Sequence, residues 1–226
     1  MAKKKISRKQ FLKGPDEFLT LSGKAANFFA THLREFRYLG LAVAVIVIAY
    51  LAVHTYLGSV NKKGQNAYNV AYNTMAENMK PDADPDSLRK SEELFAIVTD
   101  EYGLSKASLL ALPQIAYAKF LDKSYDEAIV FYRKFMDRVS GDVQYESLAL
   151  LALAACHEAK GDLKTAIEVL NRVVEELDNP FKEAGMLSLA RIYRLDNRPE
   201  EAESILKKFV EKYETSPFLP VAKAHL

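Results

Sequence analysis

The sequence predicts an all-α protein with one N-terminal transmembrane helix followed by a solenoid of stacked helical hairpins. The first observation is a stretch of 24 residues, from Tyr38 to Asn61, that contains no Asp, Glu, Lys or Arg. The second is that short amphipathic segments follow, separated by polar breaks and without strand-like alternation. The third is a fixed period in these segments, which is typical of repeat architectures.

Residues 1–37 form a basic N-terminal tail. They contain nine Lys or Arg residues and three acidic residues, whereas only Lys62 and Lys63 follow the apolar stretch closely. Because positive flanks stay on the cytoplasmic side of a membrane, the tail is predicted to be cytoplasmic and residues 61–226 to be exported. A basic tail beside a membrane also favours contact with anionic lipid. No recognition motif or aromatic-basic pattern indicates nucleic acid.

An amphipathic helix is predicted within the tail, between Pro15 and Arg37. Its apolar stripe includes four phenylalanines that we expect at the membrane interface: Phe18, Phe28, Phe29 and Phe36. Such a helix can lie under the inner leaflet or dock on a membrane partner. The alternative is a cytoplasmic extension that only continues or steadies the span, and the pattern fits both.

Residues 38–60 are predicted to be a transmembrane anchor. A helix needs about 20 apolar residues to cross the hydrocarbon layer, and a buried helix of a soluble protein is rarely apolar on every face. A cleavable signal sequence has a shorter basic start, a shorter apolar stretch and a small-residue cleavage site. Here 37 residues precede the stretch, and no convincing cleavage site follows it. We therefore expect an uncleaved, single-pass anchor.

Three segments of the exported region superpose with a fixed period. They place Ala128, Ala166 and Ala202 at one position, 38 and 36 residues apart, and a further helix precedes each segment. The pattern resembles the tetratricopeptide repeat, a helix-turn-helix unit of about 34 residues with small residues at helix contacts. The first repeat departs from this pattern, because Lys123 stands where a turn glycine is expected and Pro113 is expected to interrupt the leading helix.

Both flanks of the repeats are less regular. Residues 64–102 are interpreted as a degenerate earlier helix pair whose first part continues from the span as a stalk, and residues 217–226 as the start of a truncated cap. Together with the three repeats, these flanks provide enough neighbours to bury a shared core. We expect one exported domain of stacked helical hairpins.

The whole arrangement of a basic tail, one uncleaved span and an exported repeat domain resembles the ancillary SecYEG translocon subunit family of bacterial inner-membrane proteins. The resemblance includes the stretch DEFLTLSGKAANFFATHLREFRYLGLAVAV before and into the span and AYNVAY after it. It implies a single-pass inner-membrane protein with a periplasmic domain. It also implies protein partners, namely the membrane translocon and periplasmic chaperones or clients, and it implies no catalytic residues.

No constellation of residues points to an enzyme or a metal site. The four histidines are divided among tail, span, repeats and C-terminus, which does not match the usual spacing of metal ligands. Cys156 and His157 are adjacent, and neighbours on a helix point about 100° apart, which argues against a catalytic dyad. Cys156 is expected to be a small core residue, and a single cysteine excludes an internal disulfide. We expect neither a cofactor nor a small-molecule substrate.

A binding surface is the better functional candidate. In stacked helical repeats, the first helices of the hairpins line a concave face that can hold a peptide or a partner helix. The predicted partner-binding residues on this face are Tyr117, Phe120, Glu158, Arg191 and Arg194. The alternative is that the two aromatic residues belong to the core and that the two arginines are only solvated.

Two functional hypotheses follow from these features. The first is a membrane-anchored, non-enzymatic scaffold beside the protein-export channel that binds exported clients or periplasmic chaperones. The second is a structural or assembly subunit of a bacterial envelope complex, such as a secretion, pilus or electron-transfer apparatus. In the second case the groove would hold one dedicated folded partner, whereas a client-binding domain would bind many peptides weakly.

Overall fold

A computed structural model describes residues 17–77, 86–175 and 179–226, and side chains within them from residue 23 onward. All regular secondary structure in these ranges is helical. The helices are α1 Glu17–Thr31, α2 Leu33–Glu77, α3 Ser87–Glu101, α4 Lys106–Leu121, α5 Tyr125–Arg138, α6 Val143–Ala159, α7 Leu163–Glu175, α8 Lys182–Leu195, α9 Pro199–Lys212 and α10 Leu219–Ala224. The chain divides into two compact units, Met1–Tyr56 and Leu57–Leu226.

The first unit holds α1 and the N-terminal part of α2. α1 ends at Thr31 and α2 begins after the turn residue His32, so the predicted amphipathic segment is divided between two helices. α2 has 45 residues and is the one helix of the described chain that is long and apolar enough to cross a membrane, by length and composition. Its side chains from Tyr38 to Tyr56 are all exposed.

The second unit begins with a hairpin made of residues 57–77 of α2 and of α3. The two helices are antiparallel, because the Tyr68 and Phe95 rings lie 5.3 Å apart while Gly64 of α2 approaches Tyr102 just after α3. A buried apolar cluster joins them, and it includes Ala71, Met75, Phe95 and Val98. The expected earlier helix pair is therefore present, and its first helix is the continuation of the predicted span.

The hairpin packs closely on the start of α4 at Gly64. A Cβ at this position would lie 2.5 Å from Ser105 Oγ and 2.8 Å from Ser105 Cβ, so a larger side chain would force the helices apart. Ser105 is the N-cap of α4 and accepts a hydrogen bond from the N–H of Ser108. The side-chain oxygen of Asn61 accepts another, of 2.9 Å, from the N–H of Lys106. Contacts with two residues of α2 therefore help to fix the N-terminus of α4.

Three further hairpins follow, α4–α5, α6–α7 and α8–α9. One alanine in each repeat, aligned by the sequence period, is the fourth residue of a second helix and is fully buried. These alanines are Ala128, Ala166 and Ala202. A methyl group at these positions lets neighbouring helices approach closely, since the size of the side chains at a contact sets the distance between helix axes. The predicted repeat solenoid is confirmed.

Pro113 does not interrupt the leading helix of the first repeat, contrary to the expectation. α4 runs without a break from Lys106 to Leu121 with Pro113 inside it. Proline removes one backbone donor and crowds the carbonyl four residues earlier, that of Leu109. The helix persists because Leu112 and Ile115 are buried against neighbouring helices, so that tertiary packing outweighs local propensity.

The turns within the three repeats share one backbone conformation. Lys123, Gly161 and Asn197, which are 38 and 36 residues apart, have φ angles of 62°, 79° and 56°. In each turn the next backbone N–H donates to the carbonyl five residues earlier, as from Ser124 to Lys119 at 2.9 Å. This is the Schellman pattern, in which a left-handed residue ends a helix. Glycine suits this conformation, whereas a lysine carries a steric cost.

Replacing Lys123 by glycine is expected to stabilise the protein. The change removes the cost of a left-handed lysine, about 1 kcal/mol, although the greater freedom of glycine in the unfolded chain offsets part of the gain. Few contacts are lost, because Lys123 is exposed. The denaturant midpoint of the full chain in mild detergent should rise. The matched opposite change, Gly161→Ala, should lower it, and a lower midpoint for Lys123→Gly would contradict the conformational argument.

Candidate functional site on the first-helix face

The first helices of the hairpins form one continuous face of the second unit. This first-helix face comprises surface residues of α4, α6, α8 and α10, together with residues 57–77 of α2. α10 extends it at the C-terminal end, because the fully buried Ala222 packs against the cluster that also holds Ala190 and Phe209. Two pockets lie on this face, one near each end.

The tyrosine pocket lies at the N-terminal end of the first-helix face and has a volume of about 410 Å³. α4 and α6 supply most of its wall, α2 closes one side, and buried residues of α5 form the remainder. Its lining includes four tyrosines, one glutamine and one exposed leucine, namely Tyr68, Tyr117, Tyr132, Tyr145, Gln114 and Leu148.

The wall of the tyrosine pocket is aromatic and carries no charged side chain among its described lining residues. Tyr117, Tyr145 and Leu148 are exposed, and tyrosine offers a large apolar ring together with a hydrogen-bonding hydroxyl. An exposed apolar patch on a folded domain is characteristic of a contact site for another molecule. The pocket therefore suits a neutral, apolar or aromatic group of a partner.

The hydroxyl groups of Tyr68 and Tyr132 in this pocket remain protonated at neutral pH. Burial raises the pKa of Tyr68, and the nearby Tyr72 adds to that shift, whereas a hydrogen bond with Gln114 opposes it. Burial is also the main cause that raises the pKa of Tyr132. Both phenols therefore stay neutral and can donate hydrogen bonds to carbonyl oxygens.

The C-terminal pocket lies between α8 and α10 and has a volume of about 350 Å³. Its wall is mainly apolar and includes Leu187, Leu206 and Val221. Arg194 lies at this pocket and donates to the backbone carbonyl of His225, and its second terminal nitrogen lies 3.3 Å from His225 Nδ1. Arg194 therefore holds the C-terminal end of α10 while its exposed side borders the pocket.

An ion pair between Glu158 and Arg191 joins α6 to α8 at the edge of the C-terminal pocket. Arg191 donates from both terminal nitrogens to the two carboxylate oxygens, with 2.7 Å between Nη2 and Oε2. The hydrogen bond with Glu158 raises the pKa of Arg191. A bidentate pair of this kind has a fixed geometry, so it helps to set the spacing of two neighbouring first helices.

Three of the five predicted partner-binding residues line the two pockets. Tyr117 lines the tyrosine pocket, and Arg191 and Arg194 line the C-terminal pocket. Glu158 contacts Arg191 instead of facing a pocket by itself.

Phe120 lies away from both pockets. It packs against the buried cluster between α4, α5 and α6, and its ring lies 5.4 Å from that of Tyr125. It lines neither pocket. The alternative interpretation, in which this aromatic side chain belongs to the core, fits its position.

Most residues of the tyrosine pocket, including Tyr68, Tyr145 and Leu148, are absent from the sequence-based set. Tyr68 belongs to the AYNVAY stretch, in which it stacks on Tyr72 with ring centroids 6.2 Å apart. Repeated tyrosines on one helix were the available signal. No repeat period relates Tyr68 to Tyr117 or Tyr145, so their convergence could not be read from spacing.

Three of the four phenylalanines predicted at the membrane interface, Phe28, Phe29 and Phe36, form an aromatic cluster where α1 meets α2. The Phe29 and Phe36 rings lie 4.5 Å apart, those of Phe28 and Phe36 6.0 Å apart, and His32 lies 4.6 Å from Phe28. Phe28 and Phe29 are exposed. Phe18 lies in α1, but its side chain is outside the described residues. An exposed aromatic cluster suits either a membrane interface or a protein contact.

The side chains that could take part in chemistry, Cys156 and His157, are buried in the packed domain. Cys156 is fully buried, and burial raises its pKa to about 11, so the thiol is protonated and inaccessible at neutral pH. His157 Nδ1 lies 3.2 Å from Asp162 Oδ2, and Asp162 also accepts from the N–H of Thr165 at the start of α7. Within the described residues, no group of three or more potential metal ligands occurs.

Comparison with known proteins supports the repeat assignment. A family model described as tetratricopeptide repeat matches residues 148–178 and 184–216. Two similar solved structures contain nearly identical TPR-like repeats from Podosopora anserina, described under the name of a kinesin light chain; one is a variant form. Their TM-scores are 0.57 and 0.56, each is 18% identical, and each match covers 72% of this chain and 82% of the other. No curated protein sequence matches the chain.

The second unit is thus a TPR-like helical-repeat solenoid. Solved structures at this level of identity show the fold alone. Tetratricopeptide repeats indicate a protein–protein interaction scaffold, since their stacked hairpins present an extended surface to partners.

Proposed function

We propose that this repeat protein is a membrane-anchored, non-enzymatic scaffold that binds protein partners through its first-helix face on the exported side of the membrane. The observation that carries the proposal is the tyrosine pocket, an uncharged aromatic recess on the face that helical repeats use for binding.

The tyrosine pocket has the composition of a protein-binding site. Exposed Tyr117, Tyr145 and Leu148 border it, and tyrosine is enriched among the residues that dominate binding energy at interfaces. An aromatic side chain also loses little conformational entropy on binding, because it has only two rotatable bonds. The partner group that fits this wall is an apolar or aromatic side chain of an exposed segment.

Residues 38–60 are proposed to be the membrane anchor, with residues 1–37 in the cytoplasm and residues 61–226 in the periplasm. The length and composition of α2 support the span. The excess of basic residues before the span supports the orientation. The exposed cluster of Phe28, Phe29 and Phe36 would add contact with lipid or with a membrane partner at the cytoplasmic interface.

The partners that we propose are the protein-export channel of a bacterial inner membrane and its exported clients or periplasmic chaperones. The tail and span would contact the channel, and the first-helix face would bind the clients or chaperones. The resemblance of the tail and span to ancillary translocon subunits supports this assignment. Tyr117, Arg191 and Arg194 are the proposed contact residues, with Glu158 orienting Arg191.

The test is recovery of partners with the full chain from mildly solubilised membranes, followed by mass spectrometry. The pocket variant combines Tyr117→Ser with Leu148→Ser, which removes apolar surface from the tyrosine pocket. We expect the loss in recovered client or chaperone to be at least about tenfold, since residues that dominate an interface each contribute about 2 kcal/mol or more and every 1.4 kcal/mol is tenfold in affinity. Channel subunits should still be recovered, because tail and span are unchanged.

The matched control combines Leu121→Ser with Val130→Ser, two exposed apolar residues that line neither pocket. It should recover all partners. Equal recovery by the pocket variant would contradict the proposed site. Recovery of one envelope complex in fixed stoichiometry, without translocon subunits, would favour the structural or assembly subunit instead.

A further inference from the structure

The loop between α3 and α4, residues 102–105, lies at the end of the first hairpin where α2 enters the second unit. α3 runs antiparallel to residues 57–77, so its C-terminus returns to the start of that segment. The loop meets α2 at Gly64, where Tyr102 Cβ and Ser105 Cβ would lie 3.1 Å and 2.8 Å from an added Cβ.

The loop is held in this place by hydrogen bonds from two sides. Asn61 of α2 accepts from the N–H of Lys106, directly after the loop, at 2.9 Å. Arg138 of α5 donates to the carbonyl of Gly103 at 3.4 Å and to the hydroxyl of Ser108 at 3.3 Å. Packing and polar contacts therefore fix the position of the loop along α2.

The contact points lie immediately beyond the predicted span. Gly64 is four residues after Val60, where the span ends, which corresponds to a rise of about 6 Å along a helix. The polar interfacial layer on each side of a bilayer is about 5 to 7 Å thick. With residues 38–60 in the hydrocarbon layer, residues 61–64 and the loop packed on them lie at the depth of the lipid headgroups.

Leu104, in this loop, has the largest exposed fraction of the large apolar side chains in the described chain. Its relative exposure is 70%. The loop is packed through Tyr102 and Ser105, so Leu104 is presented outward from a backbone that its neighbours fix. Burial of a leucine side chain in an apolar medium is favourable by about 1.5 to 3 kcal/mol.

The charged side chains around the loop are mainly basic, which suits contact with the phosphates of a phospholipid interface. Lys62 and Lys63 are exposed and lie between Asn61 and Gly64 in the sequence of α2, Lys106 is exposed directly after the loop, and Asp100 and Glu101 precede the loop on α3. Arg138 adds a fourth cation, so cations outnumber carboxylates by four to two. Positive side chains next to an apolar residue match lipid phosphates above an acyl layer.

We propose that this loop is a second membrane contact, in which Leu104 inserts into the exported leaflet and the surrounding cations face lipid phosphates. The contact would hold the first hairpin against the membrane surface. It rests on the proposed function in one respect, namely that residues 38–60 span a bilayer.

The experiment places a fluorescent label at single sites of the full chain, reconstituted into vesicles of phosphatidylethanolamine and phosphatidylglycerol. The variants are Leu104→Cys, Val47→Cys within the span, and Leu121→Cys at the far end of α4, where the native leucine is 40% exposed. Each is labelled in detergent with an environment-sensitive maleimide dye. The native chain gives the background, because Cys156 is fully buried with a raised pKa.

Quenching by lipids with spin labels in the headgroup or along the acyl chain reports the depth of each dye. We expect strong headgroup-level quenching and a blue-shifted emission at position 104, acyl-level quenching at position 47, and emission like that in water at position 121. If position 47 is quenched while position 104 behaves like position 121, the loop contact is refuted and the anchor stands. If neither is quenched, the anchor itself fails and the loop contact fails with it.

Discussion

Replacing Gly64 by leucine is expected to detach residues 57–77 from the rest of the repeat domain. Even a Cβ would come within 2.8 Å of Ser105 Cβ and 3.1 Å of Tyr102 Cβ, and these atoms cannot move aside because the backbone fixes the position of a Cβ. Overpacking of this kind costs about 1 to 3 kcal/mol. Separation of the helices would also break the bond from Lys106 N–H to Asn61.

The measurement is the thermal midpoint of the near-ultraviolet circular dichroism of the full chain in mild detergent. For a domain of this size, each kcal/mol lowers the midpoint by about 2 to 4 °C. Gly58→Leu is the matched control, since it lies in the same helix and has no neighbouring atom within 4 Å of an added Cβ. Equal midpoints for the two variants would show that the contact at Gly64 does not stabilise the domain.

Replacing Phe209 by alanine is expected to unravel the C-terminal end of the solenoid while the N-terminal hairpins remain folded. Phe209 is fully buried in the cluster that contains Met186, Ala190, Leu206 and Ala222. Loss of a buried phenylalanine costs about 3 to 5 kcal/mol. Because each hairpin of a repeat protein contacts mainly its neighbours, this loss acts locally. The C-terminal pocket should disappear, since it depends on the packing of α10 against α8.

Hydrogen exchange followed by mass spectrometry distinguishes local from global unfolding. We expect faster exchange in residues 182–226 and little change in residues 87–138. Phe218→Ala is the control, because Phe218 is exposed and lies next to α10. A uniform loss of protection along residues 57–226 would show instead that the solenoid unfolds as one cooperative unit.

The periodic features could be predicted from sequence because they depend on local geometry. A buried alanine recurs as the fourth residue of each second helix, at Ala128, Ala166 and Ala202, because each second helix packs closely against its neighbours at this position. The turn position occupied by Gly161 recurs in the same way, and Lys123 adopts the conformation that its place in the repeat requires. The apolar stretch of α2 needed only length and composition.

The position of Phe120 could not be predicted in the same way. Phe120 and Tyr117 lie three residues apart on α4, yet Tyr117 lines the tyrosine pocket and Phe120 packs in the core. A helix brings both side chains to nearly the same face. The tilt and spacing of α5 and α6 decide which one is covered, and these depend on contacts between helices that a single helical pattern does not contain.

The helical repeat, its turns and the apolar segment can be predicted from the sequence alone, because each follows from residues that are close together in the chain. The shared pocket of Tyr68, Tyr117 and Tyr145, and the packing of the loop that contains Leu104 against Gly64, depend on the tertiary structure. Those juxtapositions join distant segments. Their physical cause is the stacking of hairpins, in which the angle and separation of neighbouring helices result from the summed packing of many side chains.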